Sequence, residues 1–210
     1  MEPRQRADEM LRLERLLWDL RYQRVAGVDE VGLGPLAGPV VAAAVVFSRG
    51  SEPLALADSK RLTPKTRERL EGEIRRTASE VSLGMVEVEE IENIGIREAG
   101  LEAMRRAVVG LKRPADYLLV DARRVPGVGM GQSSYIAADS FVYSVAAASI
   151  VAKVHRDALM LALAERFPGY GFGRHMGYGT AAHMEALTRL GPCQIHRRGF
   201  APVRRLLEAG

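Results

Sequence analysis

Two apolar runs around a short turn rich in glycine and proline constrain the fold of this 210-residue chain more than any other feature. Residues Arg24–Val28 and Val40–Phe47 have the composition of buried strands. The turn Gly32–Pro39 between them contains three glycines and two prolines. A connection this short favours an antiparallel pair of strands.

Further elements alternate along the rest of the chain. Apolar spacing predicts an amphipathic helix over residues 3–22. Thr63 followed by Pro64 predicts the start of a charged helix that ends near Ser79, because threonine is a good N-cap and proline suits the first helical position. Additional strands are predicted at Val81–Val88 and Tyr117–Val120, and additional helices at 89–110 and Ser140–Arg166. The pattern predicts an α/β fold with a mixed central sheet flanked by helices.

Composition limits the class of protein. With 47% apolar and 27% charged residues, the chain can bury the core of one globular domain. The N-terminus does not have the pattern of a secretory signal, so we expect a cytoplasmic protein. The single cysteine, Cys193, cannot form an intrachain disulfide. With no Cys/His cluster beside it in the sequence, we expect a packing residue rather than a zinc ligand.

The C-terminal segment is basic. From Glu165 to Gly210 it has seven arginines and three glutamates, which accounts for the whole net charge of +4. Aromatic residues lie among these arginines, namely Tyr170, Phe172, Tyr178 and Phe200. Such a segment would follow phosphates and stack on sugars or bases, although a solvated helical surface explains it equally well. We divide the chain into a helical appendage (1–23), a core (24–166) and a C-terminal helical extension packed on the core (167–210).

Four acids carry the chemical signal. Asp29 and Glu30 follow the first predicted strand, and Asp121 follows a later one. Neighbouring strand residues point to opposite faces, so Asp29 and Glu30 share a site only if the strand bends or Glu30 reaches around its end. Asp139 precedes the last long helix and would complete a cluster of four. The alternatives are a turn-capping pair for Asp29 and Glu30, and an N-cap for Asp139.

Carboxylates without histidine or cysteine at ligand spacing indicate a hard cation, Mg²⁺ or Mn²⁺. Four acids would hold two ions. Such a pair activates a water on one side of a phosphodiester and stabilises the leaving oxygen on the other.

The segment 26–40, AGVDEVGLGPLAGPV, resembles the signature of ribonuclease HII, the type 2 ribonuclease H. Other blocks like those of the family follow in order over residues 24–205. They are Asp58–Leu62, Val120–Asp121, Ala138–Asp139, Ala147–Val154 with Arg156–Asp157, Gly177–Thr180, and His196–Arg197. Because several blocks occur in the family's order, chance similarity is improbable.

The resemblance implies an RNase H-like fold and hydrolysis of RNA in RNA–DNA hybrids. It also implies cutting 5′ of single ribonucleotides in duplex DNA, as in ribonucleotide excision repair, with 5′-phosphate and 3′-hydroxyl products. By motif, the catalytic and metal-binding acids would be Asp29, Glu30, Asp121 and Asp139. We expect Mg²⁺ or Mn²⁺ as cofactor, hybrid or ribonucleotide-containing duplex as partner, a monomer, and no membrane; no protein partner is indicated.

The family reads the ribose 2′-hydroxyl with a glycine–arginine–glycine turn and a tyrosine. Here the turn is Gly32, Leu33 and Gly34, and the tyrosine is Tyr178. Leu33 replaces the usual arginine, so this turn lacks a charge-assisted phosphate contact. Ala122 is a second departure, since glycine usually follows the third acid, and it predicts a slightly different loop.

Other residues are candidate phosphate contacts. They are Lys60, which resembles the family's phosphate-contacting lysine, and Ser149 and Lys153, one helical turn apart. Plain solvated side chains are the alternative. For Asp157, four residues after Lys153, we expect an intrahelical ion pair. For the four histidines we expect packing or surface roles.

Three functions remain from different classes. The first is an active hybrid-specific ribonuclease. The second is a protein that only binds hybrid or duplex nucleic acid, which Leu33 favours and the four acids oppose. The third is another phosphoryl reaction, such as DNA cutting by a different RNase H-like nuclease.

Overall fold

The structure is a computed structural model that describes residues 3–51, 53–56 and 63–208. Lys60, a candidate phosphate contact, lies outside the described residues. The strands are β1 (Val25–Val31), β2 (Val40–Val46), β3 (Glu80–Val86), β4 (Tyr117–Asp121) and β5 (Gly131–Tyr135). The helices are α1 (Pro3–Met10), α2 (Arg12–Asp19), α3 (Pro64–Thr77), α4 (Val88–Ile94), α5 (Ile96–Val109), α6 (Tyr143–Arg166), α7 (Phe172–His175), α8 (Ala181–Leu190) and α9 (Ala201–Glu208), with a 3₁₀ turn at Ala138–Ser140.

The five strands form one mixed sheet in the order β3-β2-β1-β4-β5. β1 pairs antiparallel with β2, as predicted, and parallel with β4. Val28 lies opposite Ala44 on one side and Val120 on the other. Because β1 and β4 are parallel neighbours, their carboxyl ends meet at one edge of the sheet. The α/β fold with helices on the sheet is therefore confirmed.

Each face of the sheet carries its own core. Alternate residues of β2 divide between the faces, so Val41, Ala43 and Val45 lie on the α6 side, and Ala42, Ala44 and Val46 lie on the α5 side. α6 packs so closely on β1 that a Cβ at Gly27 would lie 2.1 Å from the carbonyl carbon of Ser144. Glycine is required there, and the close approach places α6 directly beside the acids of β1.

The terminal helices are joined to this core. Leu17 and Trp18 of α2 are buried in the cluster that includes the α6 side of the sheet. In the C-terminal segment, Tyr170, Phe172 and Arg197 are buried, so they do not form the nucleic-acid surface that the composition suggested. The predicted division into appendage, core and extension stays a prediction. None of the helices in the described ranges is long and apolar enough to span a membrane.

Several boundaries differ from the expectation. The N-terminal helix is interrupted at Leu11, and the helix predicted over 89–110 is divided at Gly95, whose φ of 82° suits a glycine. β5 was not predicted. Thr63 does cap α3, accepting a hydrogen bond from the Thr66 amide, with Pro64 at the first position.

Candidate active site

Asp29 and Glu30 both lie within β1, which continues past them to Val31, so of the two alternatives the strand does not end or turn before these acids. Asp29 faces α6, is 5% exposed and shares a hydrogen bond with the Ser149 hydroxyl. Glu30 faces α5, where its Cγ lies 3.9 Å from the position of a Cβ on Gly100. The two side chains therefore project from opposite faces of one strand. They line a common cavity only at the edge where the sheet ends.

Asp121 is the last residue of β4, and Asp139 lies in the 3₁₀ turn that precedes α6. The Ala138 amide donates a 2.7 Å hydrogen bond to Oδ1 of Asp121, which ties this turn to β4. The N-cap alternative for Asp139 is wrong, because α6 begins at Tyr143 and its N-cap is Val142. Asp139 is only 6% exposed. Aspartate is seldom buried to this extent unless its charge is paired.

All four acids line one cavity of about 520 Å³. The other lining residues are Val31, Gly32, Leu33, Gly34, Arg67, Ser149, Lys153 and Tyr178. The fold thus brings the predicted acids together with the glycine turn, the tyrosine and two of the three candidate phosphate contacts. Arg67, from α3, was not predicted, and only the packing of α3 against α6 places it here.

Burial and mutual repulsion govern the charge of these acids. Burial raises the pKa of Asp29 well above its usual range, and the charges of Glu30, Asp121 and Asp139 raise it further. Burial and the charge of Asp121 raise the pKa of Glu30 to about 7. Carboxylates that are crowded and buried in this way are costly to ionise unless cations offset their charge.

The donor set suits a hard divalent cation. Oε2 of Glu30 is buried and has no hydrogen-bond partner among the described residues. An unpartnered carboxylate oxygen beside three further carboxylates is the chemistry that Mg²⁺ and Mn²⁺ prefer. Within the described residues, however, no three side chains of ligand type are already gathered around one point. Binding an ion would therefore draw the acids closer together.

Two buried arginines hold the glycine turn beside this cavity. Arg156, fully buried, donates to the carbonyl oxygens of Pro39 and Ala37 at 3.0 and 3.1 Å. Arg197, also fully buried, donates to the carbonyl oxygens of Leu33, Pro35, Gly38 and Pro39. Burial lowers the pKa of Arg197 to about 9. Neither role was predicted, because an arginine in a basic segment suggests a solvent-facing charge.

Comparison with known proteins decides the family. The model of the family described as Ribonuclease HII matches residues 26–203. This chain belongs to the ribonuclease HII family. A ribonuclease HII from Geobacillus kaustophilus (strain HTA426) is 49% identical over 205 residues, which are 98% of this chain and 78% of that protein. The chain is accordingly an endoribonuclease of the ribonuclease H type, acting on the RNA of RNA–DNA hybrids.

Solved structures agree with this fold. The ribonuclease H2 of Pyrococcus horikoshii OT3 superposes with a TM-score of 0.74 at 26% identity, covering 89% of this chain and 98% of that one. Bst-RNase HIII, solved in complex with Mn²⁺, has a TM-score of 0.69 at 20% identity, covering 90% of this chain and 70% of that one. The second likeness bears on the fold alone.

The ribonuclease HII turn has a leucine at its centre in this chain. Gly32 has a φ of 99°, and a Cβ there would lie 2.4 Å from Nε of Arg156, so glycine is required for both reasons. Leu33 is 38% exposed and packs toward α5, with its Cδ2 3.0 Å from the position of a Cβ on Gly100. Gly34 faces the Tyr178 ring, whose Cε1 is 3.7 Å from the corresponding position.

Ala122, the second departure from the ribonuclease HII pattern, adopts the left-handed conformation with a φ of 53°. Its amide donates to the Tyr135 carbonyl oxygen at 2.9 Å. The backbone at this position thus has the conformation that favours glycine, even though the residue is alanine.

The α6 side of the cavity is cationic. Lys153 makes the expected ion pair with Asp157, at 2.5 Å between Nζ and Oδ1. Arg67 lies 3.4 Å from the same carboxylate, and its buried Nε has no hydrogen-bond partner among the described residues. Two cations against the single carboxylate of Asp157 leave a net charge of +1 on this rim of the acid cluster.

The fold gathers His175, His183 and His196 beside Cys193, although their sequence spacing indicated no cluster. Nδ1 of His183 donates to the Tyr178 carbonyl oxygen at 2.9 Å, so its Nε2 accepts from Nε2 of His196 at 3.1 Å. Nδ1 of His196 then accepts from the Cys193 amide at 2.9 Å. Both imidazoles are neutral in this chain of bonds. His183 and His196 are buried packing residues, as expected, and they support Tyr178 from within.

Proposed function

We propose that this ribonuclease hydrolyses RNA in RNA–DNA hybrids by two-metal-ion catalysis and also cuts 5′ of a single ribonucleotide in duplex DNA. Its products would be 5′-phosphate and 3′-hydroxyl ends. The observation that carries the proposal is that four carboxylates line one cavity together with the glycine turn and Tyr178. Metal chemistry and sugar recognition would therefore occur at adjacent points of one site.

Asp29, Glu30, Asp121 and Asp139 are the proposed ligands of two ions, Mg²⁺ or Mn²⁺. Bound there, the ions would activate the attacking water and neutralise charge on the leaving oxygen. The acids themselves would contribute full negative charge only with cations present, since burial and repulsion raise the pKa of both Asp29 and Glu30. The unpartnered Oε2 of Glu30 supports its role as a ligand.

Recognition of the ribose would fall to the turn and Tyr178. Tyr178 is 43% exposed and lines the same cavity as Gly32 and Gly34. A hydroxyl and backbone amides are suited to the 2′-hydroxyl, which both donates and accepts hydrogen bonds. Ser149, Lys153 and Arg67 would contact the phosphates beside the cut, with Lys60 as a further candidate by resemblance.

Two other functions would fit parts of the site. A protein that only binds hybrids would not need four carboxylates crowded into one cavity. A nuclease for all-DNA duplexes would not need a sugar-reading turn beside an exposed tyrosine. We therefore place both below the ribonuclease.

The test uses three end-labelled substrates: a DNA duplex with one ribonucleotide, an all-DNA duplex and a long RNA–DNA hybrid. Each is incubated with Mg²⁺, Mn²⁺ or a chelator. We expect metal-dependent cuts in the hybrid and 5′ of the ribonucleotide, with the all-DNA duplex intact. Cutting of the hybrid alone would remove single-ribonucleotide recognition from the proposal. Failure on every substrate would favour the binding protein, and cutting of all-DNA duplex would favour the other nuclease.

A further inference from the structure

A second cavity adjoins the acid cluster on the α5 side of the sheet. It has a volume of about 230 Å³ and shares Glu30, Leu33 and Asp121 with the first cavity. Its other lining residues are Arg97, Gly100, Leu101, Met104, Ala122 and Arg123. Arg67 and Lys153 line only the first cavity, so Arg97 and Arg123 are a separate pair of cations on the opposite side of the acids.

Both arginines have charge available for a ligand. Arg97 and Arg123 are exposed, and neither guanidinium forms a hydrogen bond or ion pair with any residue that the structure describes. Further along α5, by contrast, Arg105 and Arg106 are both paired with Glu102. Arginine is the side chain best suited to a phosphate, because its planar donors match two oxygens at once.

The backbone holds Arg123 beside the acids. The left-handed Ala122 turns the chain directly after Asp121, and the Arg123 amide donates back to the Asp121 carbonyl oxygen. Arg123 therefore lines the same cavity as Glu30 and Asp121. Arg97 is the second residue of α5 and approaches the same cavity from the other side.

Leu33 explains why such a pair is needed. Its side chain packs into the space that Gly100 leaves on α5, so the centre of the turn presents only an apolar surface. A nucleic-acid strand lying across the acids would meet Arg67 and Lys153 on one side and, past Leu33, Arg97 and Arg123 on the other. Phosphates on both sides of the cut would then face positive charge.

We propose that Arg97 and Arg123 form a phosphate subsite that binds the backbone of the hybrid and supplies the charge that Leu33 cannot. The subsite rests on the proposed function, because its ligand is the substrate of the neighbouring acids. The subsite would bind a phosphodiester group and make no contact with a base.

The test measures hybrid affinity against salt concentration, with Ca²⁺ in place of Mg²⁺ to slow cutting. The variants are Arg97→Gln, Arg123→Gln and the double variant. Arg124→Gln is the matched control, since Arg124 is exposed, follows Arg123 and does not line the cavity. We expect each arginine to contribute about 0.9 to the slope of log affinity against log salt and roughly tenfold in affinity. The control should keep the slope of the unsubstituted protein.

Rescue separates this role from a structural one. Leu33→Arg in the double variant should recover affinity and slope, because it returns a cation to the same cavity. A double variant with an unchanged slope, or a rescue that fails in a protein with unchanged melting temperature, would overturn the subsite. The proposed function itself has a separate test. It would fail if the unsubstituted protein showed no metal-dependent cutting of the hybrid.

Discussion

Glu14 accepts two hydrogen bonds from Ser144, at 2.7 Å from the amide and 2.6 Å from the hydroxyl. Ser144 is the second residue of α6, so an acid of α2 caps the helix that carries Ser149 and Lys153. Glu14 is 1% exposed, and burial raises its pKa. The N-terminal helices thereby stabilise the end of α6 that follows Asp139.

Glu14→Ala should lower the free energy of unfolding by about 2–3 kcal/mol, because two buried donors lose their acceptor. Glu14→Gln is the matched control, since it keeps the shape and one acceptor oxygen without the buried charge. Urea unfolding followed by fluorescence of Trp18, the only tryptophan, measures both. Equal losses in the two variants would contradict the capping role.

Asp29→Asn should reduce turnover by about a hundredfold to a thousandfold while the protein remains folded, because it removes a charge that would hold a metal ion at the reacting phosphate. Without metal, the variant should melt at the same temperature or higher, because a buried charge repelled by Glu30 is removed. Mn²⁺ should raise the melting temperature of the unsubstituted protein more than that of the variant. Retained cutting would refute the assignment of Asp29.

Arg197→Ala should destabilise the protein by about 3 kcal/mol or more, since several buried carbonyl oxygens lose their donor. Arg197→Lys should recover little, because an ammonium lacks the planar fork that reaches them. The exposed neighbour supplies the control, and Arg198→Ala should stay within about 0.5 kcal/mol. Thermal unfolding compares the three, and a tolerated Arg197→Lys would show that charge alone suffices.

His196 should make stability depend on pH. Burial lowers its pKa to about 4 from an ordinary value of 6.5, so the unfolded chain binds the proton more readily. This contribution is complete above pH 6.5 and is lost as pH falls toward 4, by up to about 3 kcal/mol. Asp29 and Glu30 act in the opposite direction, so the measurement is the difference between the unsubstituted protein and His196→Gln across this range. A constant difference would contradict the neutral histidine chain.

Ala122→Gly should stabilise the protein by roughly 1 kcal/mol, because the left-handed conformation is costly for a residue with a Cβ. The control is Ala162→Gly, at an exposed position inside α6, which should lose a similar amount through helix propensity. Opposite shifts in melting temperature would support the conformational origin. A loss at both positions would refute it.

The sequence predicted the parts of the fold that local pattern determines. β1, β2 and β4 are apolar runs, and Thr63 with Pro64 marks the start of α3. β5, by contrast, is Gly-Gln-Ser-Ser-Tyr at the edge of the sheet, where pairing with β4 rather than apolar alternation defines the strand. The break at Gly95 depends on a single backbone angle, for which an isolated glycine is a weak signal.

The candidate site was predicted unevenly for a related reason. The four acids stand at strand ends and motif positions that a sequence displays. Arg156 and Arg197 donate to backbone carbonyl oxygens more than a hundred residues away. Every residue has such a carbonyl oxygen, so the sequence does not show which of them an arginine will contact. Arg97 and Arg123 likewise could not be predicted as a pair, because only the fold places α5 and the end of β4 beside Leu33.

The glycine turn is held almost entirely by the end of the chain. The Leu36 amide donates to the Gly177 carbonyl oxygen, the Gly38 amide donates to that of Ile195, and the Arg197 amide donates to that of Leu36. These amides can exchange their hydrogens with water only when the last third of the chain lifts away. The glycine turn and the C-terminal segment therefore open together. Protection of the Leu36 and Gly38 amides against hydrogen exchange reports whether the C-terminal segment is packed on the turn.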